Sequence, residues 1–97
     1  MILAGLQYKE GNLAMETRAY RLYDYCRLEE AEDIHEAAHT VWRYFHPRHI
    51  LTVREYVKAE MHDTETRKTW TVDRNGHSQR DYHSESECDF RSRYAKP

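Results

Sequence analysis

The amino-acid sequence predicts an α+β fold in a single small domain, with one amphipathic helix packed on an antiparallel sheet. A chain of 97 residues has the length of one domain, so residues 1–97 are expected to fold as one unit. One segment carries apolar residues at helical spacing, and several others alternate apolar with polar residues as strands do. The predicted order is β-α-β-β-β, preceded by one further short strand.

The N-terminal third of the chain predicts two strands. Residues 2–8 form a short and mostly apolar run, which predicts a short edge strand. A start at Met15 would instead make residues 1–14 an N-terminal extension. Residues 18–26 are rich in tyrosine and roughly alternate, which predicts the second strand.

The strongest periodicity in the chain predicts a helix from Leu28 to Phe45, which ends before Pro47. One apolar stripe of this helix is expected to face the sheet. The stripe comprises Ala31, Ile34, Ala38, Val41 and Phe45. An acidic run lies in the predicted first turns, where the positive end of the helix dipole favours negative charge. This run comprises Glu29, Glu30, Glu32 and Asp33.

Residues 50–61 alternate and predict the strand that follows the helix. The apolar residues of this segment share one face. They are Leu51, Val53, Val57, Ala59 and Met61. Glu55 interrupts that face, which indicates a bulge, a strand end or a partly buried carboxylate. Residues 62–66 predict a loop, and residues 67–74 predict a strand that returns antiparallel to the one before.

The last part of the chain predicts one more hairpin and a tail. Trp70 and Val72 are expected to face inward from their strand. The pair Asn75-Gly76 is a strong turn signal and predicts a further strand through about residues 79–83. Residues 84–97 are rich in Ser, Glu, Asp and Arg and predict a loosely held C-terminal tail.

Composition and charge narrow the classes of function. The formal net charge is −2, and basic residues are interleaved with acidic ones, whereas affinity for nucleic acid comes chiefly from concentrated Lys and Arg. Direct nucleic-acid binding is therefore disfavoured. The chain contains no run of 18 apolar residues, and its start lacks the basic region and apolar stretch of a secretory signal. The sequence predicts a cytoplasmic protein without a membrane partner.

One short motif names a chemistry. Residues 35–39 match the pattern H-E-x-x-H, in which His35 and His39 hold zinc from one helix face and Glu36 acts as general base. His46 would be the third ligand. It follows His39 by seven residues where the metzincin pattern has six, and Trp42 stands where that pattern has Gly. A minimal zinc metallohydrolase is therefore an alternative hypothesis, and the departures favour a non-catalytic role without a cofactor.

Aromatic and charged residues suggest a recognition surface on the sheet. The predicted strand faces bring five side chains to the side of the sheet that points away from the helix. They are Tyr23, Tyr25, Arg54, Tyr56 and Lys58. Tyrosine and arginine dominate binding hot spots, so this surface, together with the acidic run, is predicted to bind a protein partner. Stacking of single-stranded bases on the same tyrosines is the second alternative.

Residues 18–83 resemble, in build, the small α+β proteins that phages and mobile elements encode to block bacterial immunity, anti-CRISPR proteins among them. The resemblance rests on size, on the β-α-β-β order, on the acidic stretch from Glu29 to Glu36 and on the lack of an intact catalytic constellation. It implies a non-catalytic protein-protein interaction module that inhibits a host ribonucleoprotein or nuclease complex. Both a monomer and a homodimer are compatible with this interpretation.

Overall fold

The alternating segments of the sequence pair into one antiparallel sheet, and a helix lies on each of its faces. The computed structural model describes residues 1–12, 21–48 and 51–95. The strands are β1 (Ile2–Asn12), β2 (Tyr23–Ala31), β3 (Thr52–Asp63), β4 (Lys68–Val72) and β5 (Ser78–Ser84), and the helices are α1 (Ile34–Phe45) and α2 (Glu87–Tyr94). The five strands are arranged in the order β2-β1-β3-β4-β5. The predicted α+β class is confirmed.

β1 is the strand on which both layers of the core are built. It pairs with β2 on one side and with β3 on the other, both antiparallel. Leu6 faces α1 and Leu3 faces α2, and both side chains are completely buried. The prediction of an edge strand is therefore wrong for the described residues 1–12. Burial on both faces explains the continuous apolar run, which is typical of an interior strand.

The helix α1 begins later than predicted. Leu28 pairs with Gly5 and Ala31 with Ile2, so the segment predicted as the start of the helix belongs to β2. Asp33 is the N-cap residue, and its carboxylate accepts a hydrogen bond from the backbone of Glu36. The buried stripe consequently differs from the predicted one. It comprises Ala37, Val41 and Phe45.

A β-bulge divides β3 into two halves with opposite side-chain alternation. The register with β1 shifts between Gln7 and Tyr8, because Gln7 lies opposite Lys58 and Tyr8 lies opposite Tyr56. Val57 is the extra residue and is 41% exposed. Before the bulge the even-numbered residues Arg54 and Tyr56 face α1, and after it the odd-numbered residues Ala59 and Met61 do. Of the three explanations for the interrupted apolar face, the bulge is confirmed.

The hairpin from β4 to β5 follows the prediction closely. Val72 is completely buried and Trp70 packs beside it. The turn at residues 73–77 places Gly76 at φ +81°, a backbone conformation that glycine adopts without strain. Gly76 also lies against the backbone of Ala38, so the turn packs on α1.

The C-terminal tail forms a helix, which corrects the prediction for residues 84–97 within the part described to residue 95. Ser86 is the N-cap of α2, since its hydroxyl accepts from the backbone N–H of Asp89. Phe90 is completely buried and Tyr94 nearly so, on the face of the sheet opposite α1. Charged residues surround Phe90 and Tyr94 in the sequence, so no apolar periodicity indicated a helix there.

No helix among the described residues is long and apolar enough to cross a membrane.

Candidate functional site

The predicted tyrosine and arginine surface is not assembled as expected. The ring of Tyr56 packs against Phe45 of α1 at 5.0 Å between centroids, and its hydroxyl donates to the carbonyl of Val72 at 2.7 Å. Arg54 also lies under α1, while Lys58 lies on the opposite face with Nζ 3.6 Å from a Glu60 carboxylate oxygen. The bulge in β3 is the cause, because it reverses the alternation between Tyr56 and Lys58.

The two tyrosines of β2 are only partly available. Tyr25 stacks on Tyr8 at 5.6 Å between ring centroids, on the same face of the sheet as α1. Tyr23 is the first residue of β2, is 56% exposed and shares the face of Tyr25. The prediction that both tyrosines face away from the helix is therefore wrong. Of the predicted surface residues, the structure brings Tyr25 and Arg54 together around Tyr8.

The acidic run is divided between several elements rather than opening a helix. Glu29 and Glu30 point to opposite faces of β2. Glu29 accepts a hydrogen bond from Arg27 on the α1 side, and Glu30 pairs with Arg91 of α2 at 2.9 Å. Glu32 lies exposed before α1. The run therefore does not form a continuous acidic surface.

The motif at residues 35–39 serves as the start of a helix. Glu36 donates its backbone N–H to Asp33 at 2.9 Å, and its carboxylate accepts from the backbone N–H of Glu32 at 2.7 Å. Asp33 is thus the N-cap, and the Glu36 carboxylate binds one residue earlier than it would in a capping box, for which the sequence signal is Asp33 followed three residues later by Glu36. His35 and His39 are exposed on α1. Within the described ranges, no three His, Cys, Asp or Glu side chains lie close enough to hold a metal ion.

The three arginines nearest to Tyr44 come from three different elements and form a cleft. Arg54 of β3 stacks over the Tyr44 ring at 4.1 Å, and Arg27 of β2 lies 5.6 Å from the ring centroid. The third is Arg43 of α1. The cleft measures about 400 Å³, and we name it the arginine cleft. Its lining residues are Arg27, Glu29, Thr40, Arg43, Tyr44 and Arg54.

The floor of the arginine cleft is held rigidly. Arg54 donates to the carbonyl of Tyr44 at 2.9 Å and to a carboxylate oxygen of Glu10 at 3.2 Å. The hydroxyl groups of Tyr8 and Tyr44 share a hydrogen bond. Burial and this hydrogen bond raise the pKa of Tyr8 far above its ordinary value, so Tyr8 remains neutral. The floor therefore presents a fixed positive charge next to an aromatic ring.

The outer side of α1 carries an exposed tryptophan between two histidines. The indole of Trp42 stacks with His39 at 6.1 Å and with His46 at 5.1 Å between ring centroids. His46 is held by a hydrogen bond of 2.9 Å between its Nδ1 and the carbonyl of Trp42. A groove of about 450 Å³ runs along this stack, and we name it the Trp42 surface. Its lining residues are His39, Trp42, Arg43, His46, Pro47 and Arg48.

Arg43 joins the two features, because it lines both the arginine cleft and the Trp42 surface. It lies in the last turn of α1, where its charge also stabilises the helix dipole. The patterns in the sequence did not single out Arg27 or Arg43. The adjacent triplet Trp42-Arg43-Tyr44 was the available signal. His49 follows the helix in sequence and could bind metal adventitiously with His35, His39 and His46, but it lies outside the described residues.

Comparisons with protein-family models, with curated proteins and with solved structures give no match.

Proposed function

We propose that this protein is a non-catalytic protein-interaction module that docks a partner through the Trp42 surface. The observation that carries the proposal is the indole itself, which is 40% exposed on a helix whose other side is fully packed. Val41 and Phe45 anchor that other side in the core. Tryptophan and arginine on a rigid element are the residues that most often dominate binding energy at protein interfaces.

The stacking geometry favours a protein partner over a single-stranded nucleic acid. A base binds an aromatic platform by lying on a ring face. Trp42 already stacks with two rings of the chain itself, those of His39 and His46, which compete with a base for its ring faces. The part of the residue that remains exposed, 40%, is available to the side chains of a protein. The net charge of −2 acts in the same direction.

The chemistry of the arginine cleft supports binding rather than catalysis. Three of its six lining residues are arginines, whose guanidinium groups remain protonated and cannot accept a proton. Thr40 donates its hydroxyl proton to the carbonyl of Glu36 at 3.0 Å, so no base activates this hydroxyl. Glu36 itself is occupied at the cap of α1. These contacts favour the interaction module over the zinc metallohydrolase.

The class of partner follows from the resemblance in build to anti-CRISPR proteins. The proposal includes inhibition of a host nucleic-acid-handling complex by occupation of one of its protein surfaces. Mimicry of phosphates by an acidic helix is not part of it, because Glu29 and Glu30 lie on opposite faces of β2 and pair with arginines. The docking element is α1 instead.

Capture of partners from bacterial lysate tests the proposal. We expect Trp42→Ala to lose the partner that the unchanged protein retains, because the indole provides the largest apolar contact of the surface. Tyr82→Ala is the matched control, since Tyr82 is 63% exposed but lies on β5. Equal capture by both variants would refute the docking surface. Loss of the captured material on nuclease treatment would assign the surface to nucleic acid.

A further inference from the structure

We infer that the arginine cleft binds a carboxylate group from an acidic side chain of the protein partner, and that Glu29 occupies this position in the free protein. The inference rests on the proposed function, since Arg43 connects the cleft to the Trp42 surface. It specifies that the partner presents an acidic segment. It also identifies Glu29 as an internal carboxylate that competes for the same site.

Arg43 is the group with unused binding capacity. Its guanidinium makes no hydrogen bond or ion pair with any residue in the part of the chain that the structure describes, although it lines both features. A guanidinium presents up to five N–H donors in a planar fork that matches a carboxylate. A partner seated on Trp42 would therefore bring its next side chain within reach of an unpaired cation.

Arg27 is the second cation of the cleft, and its present ligand is internal. Arg27 and Glu29 are two residues apart on β2, so their side chains share the face that points toward α1. The Arg27 Nε donates to a carboxylate oxygen of Glu29. The two side chains are 55% and 32% exposed, so water and a ligand reach the pair. An exposed pair of this kind is weak and exchanges readily with an external carboxylate.

The remaining charges of the cleft favour an anion. Arg54 is fixed over Tyr44 by its contacts with Glu10 and with the Tyr44 carbonyl, so it supplies positive charge without moving. The cleft thus contains Arg27, Arg43 and Arg54 against two carboxylates, that of Glu29 in its lining and that of Glu10, which pairs with Arg54. A net positive cleft in a chain of net charge −2 is suited to one acidic side chain rather than to a long polyanion.

The test uses a blocked hexaglutamate peptide, titrated into isotopically labelled protein and followed by NMR shifts of α1 and β2. Glu29→Gln removes the internal competitor, and Glu65→Gln makes the same charge change in an exposed turn remote from the cleft. We expect the peptide to bind Glu29→Gln roughly threefold more tightly than Glu65→Gln. Arg43→Gln should bind it roughly threefold more weakly than Arg74→Gln, in which another exposed arginine is changed. Each spectrum also shows whether the variant is folded.

Equal affinities within either matched pair would overturn the inference, as would absence of peptide binding to both the unchanged protein and Glu29→Gln. Tighter binding of an oligothymidine strand than of hexaglutamate would assign the cleft to nucleic acid. Inorganic phosphate that displaces the peptide at equal concentration would assign it to a small anion. If the peptide experiments contradict the inference while Trp42→Ala still loses its partner, the carboxylate site is refuted. The Trp42 surface is then still supported as the docking surface.

Discussion

Arg43 is the residue on which both proposals depend. It is exposed, lies between Trp42 and Tyr44 in sequence, and borders both clefts. A substitution at Trp42 tests the docking surface alone, whereas a substitution at Glu29 tests the cleft alone. The two experiments can therefore fail independently.

Glu36 shows how one residue can satisfy a catalytic motif and still serve a structural role. Its carboxylate accepts the backbone N–H of Glu32, and its own N–H is bonded to Asp33. The first turn of any helix leaves backbone donors without partners, and the Asp33 carboxylate satisfies one of them, the N–H of Glu36. The Glu36 carboxylate binds the N–H of Glu32 just before the helix. The match to H-E-x-x-H arises because Glu36 has this structural role between two exposed histidines of the same helix.

We expect Glu36→Ala to lower the free energy of unfolding by about 1 kcal/mol, because a capping contact is lost. His35→Ala is the matched control, since His35 is the adjacent exposed residue on the same helix turn and should change stability little. Urea unfolding measures both. Equal stability of Glu36→Ala and the unchanged protein would contradict the capping role, and stoichiometric zinc lost in both variants would support the metal hypothesis.

At the scale of elements, α2 is the part whose docking depends most on one close contact. The ring of Tyr94 lies directly on Gly5 of β1, where a Cβ atom would overlap it. A helix of eight residues is marginal by itself, so its stability comes from packing. Phe90, which stacks on His62, is the other anchor.

Gly5→Ala should displace Tyr94 and loosen α2 from the sheet. Cys26 reports on this change, since it is half-buried and lines an open groove together with Tyr94. Cys88 is exposed on α2 itself and serves as an internal reference. We expect the alkylation rate of Cys26 to rise at least roughly tenfold relative to Cys88, as local opening costs less free energy. An unchanged ratio would show that the ring moves aside without undocking the helix.

A polar network continues from α2 into the sheet. Arg93 donates to Glu85 at 2.5 Å and to Glu60 at 2.6 Å, and the hydroxyl of Tyr94 donates to Glu60. Burial alone would raise the pKa of Glu60 and of Glu85, but these hydrogen bonds hold both values below the ordinary one. Folding therefore favours the ionised form of each carboxylate over its protonated form.

His62 extends the same network on the sheet. Thr69 donates its hydroxyl proton to Glu85 at 2.9 Å, so the Nδ1–H of His62 must be the donor in the 2.8 Å bond to Thr69. The Nε2 atom is buried and has no partner among the described residues. Protonation would place a charged N–H there without an acceptor, and burial accordingly lowers the pKa of His62.

At the scale of the whole molecule, these groups make stability dependent on pH in one direction. The unfolded chain binds protons more readily than the folded chain at His62, Glu60 and Glu85, so acid favours unfolding. We expect the urea midpoint to be highest near neutral pH. The midpoint should decrease as the pH is lowered below the ordinary pKa of histidine, 6.5. It should decrease again as the pH is lowered below the ordinary pKa of glutamate, 4.5.

Unfolding at about pH 7, 5.5 and 4 measures this dependence. Glu60→Gln should lower the free energy of unfolding by about 1–3 kcal/mol at neutral pH, because hydrogen bonds to a buried charge are weakened. The further decrease of this free energy in acid should be smaller for the variant than for the unchanged protein. Glu65→Gln, in an exposed turn, should keep the full dependence. A midpoint that rises toward acid pH would contradict the assignment.

The local pattern of the sequence determined the strands after the helix, the turn at Asn75-Gly76 and the C-terminal half of α1. These features depend on alternation, on helical spacing and on glycine chemistry within a few residues. The bulge in β3 was indicated by Glu55, but its position at Val57 depends on the pairing with β1. Pairing between distant segments is not encoded in a short window.

Tertiary structure alone decided the centre of the sheet and the candidate site. The segment after Leu28 has helical propensity, yet it forms a strand because β1 offers a hydrogen-bonding edge along its whole length. The arginine cleft brings together Arg27, Arg43 and Arg54 from three elements. Their proximity depends on strand order and on the reversal of side-chain alternation at the bulge, which are properties of long-range packing and not of local sequence.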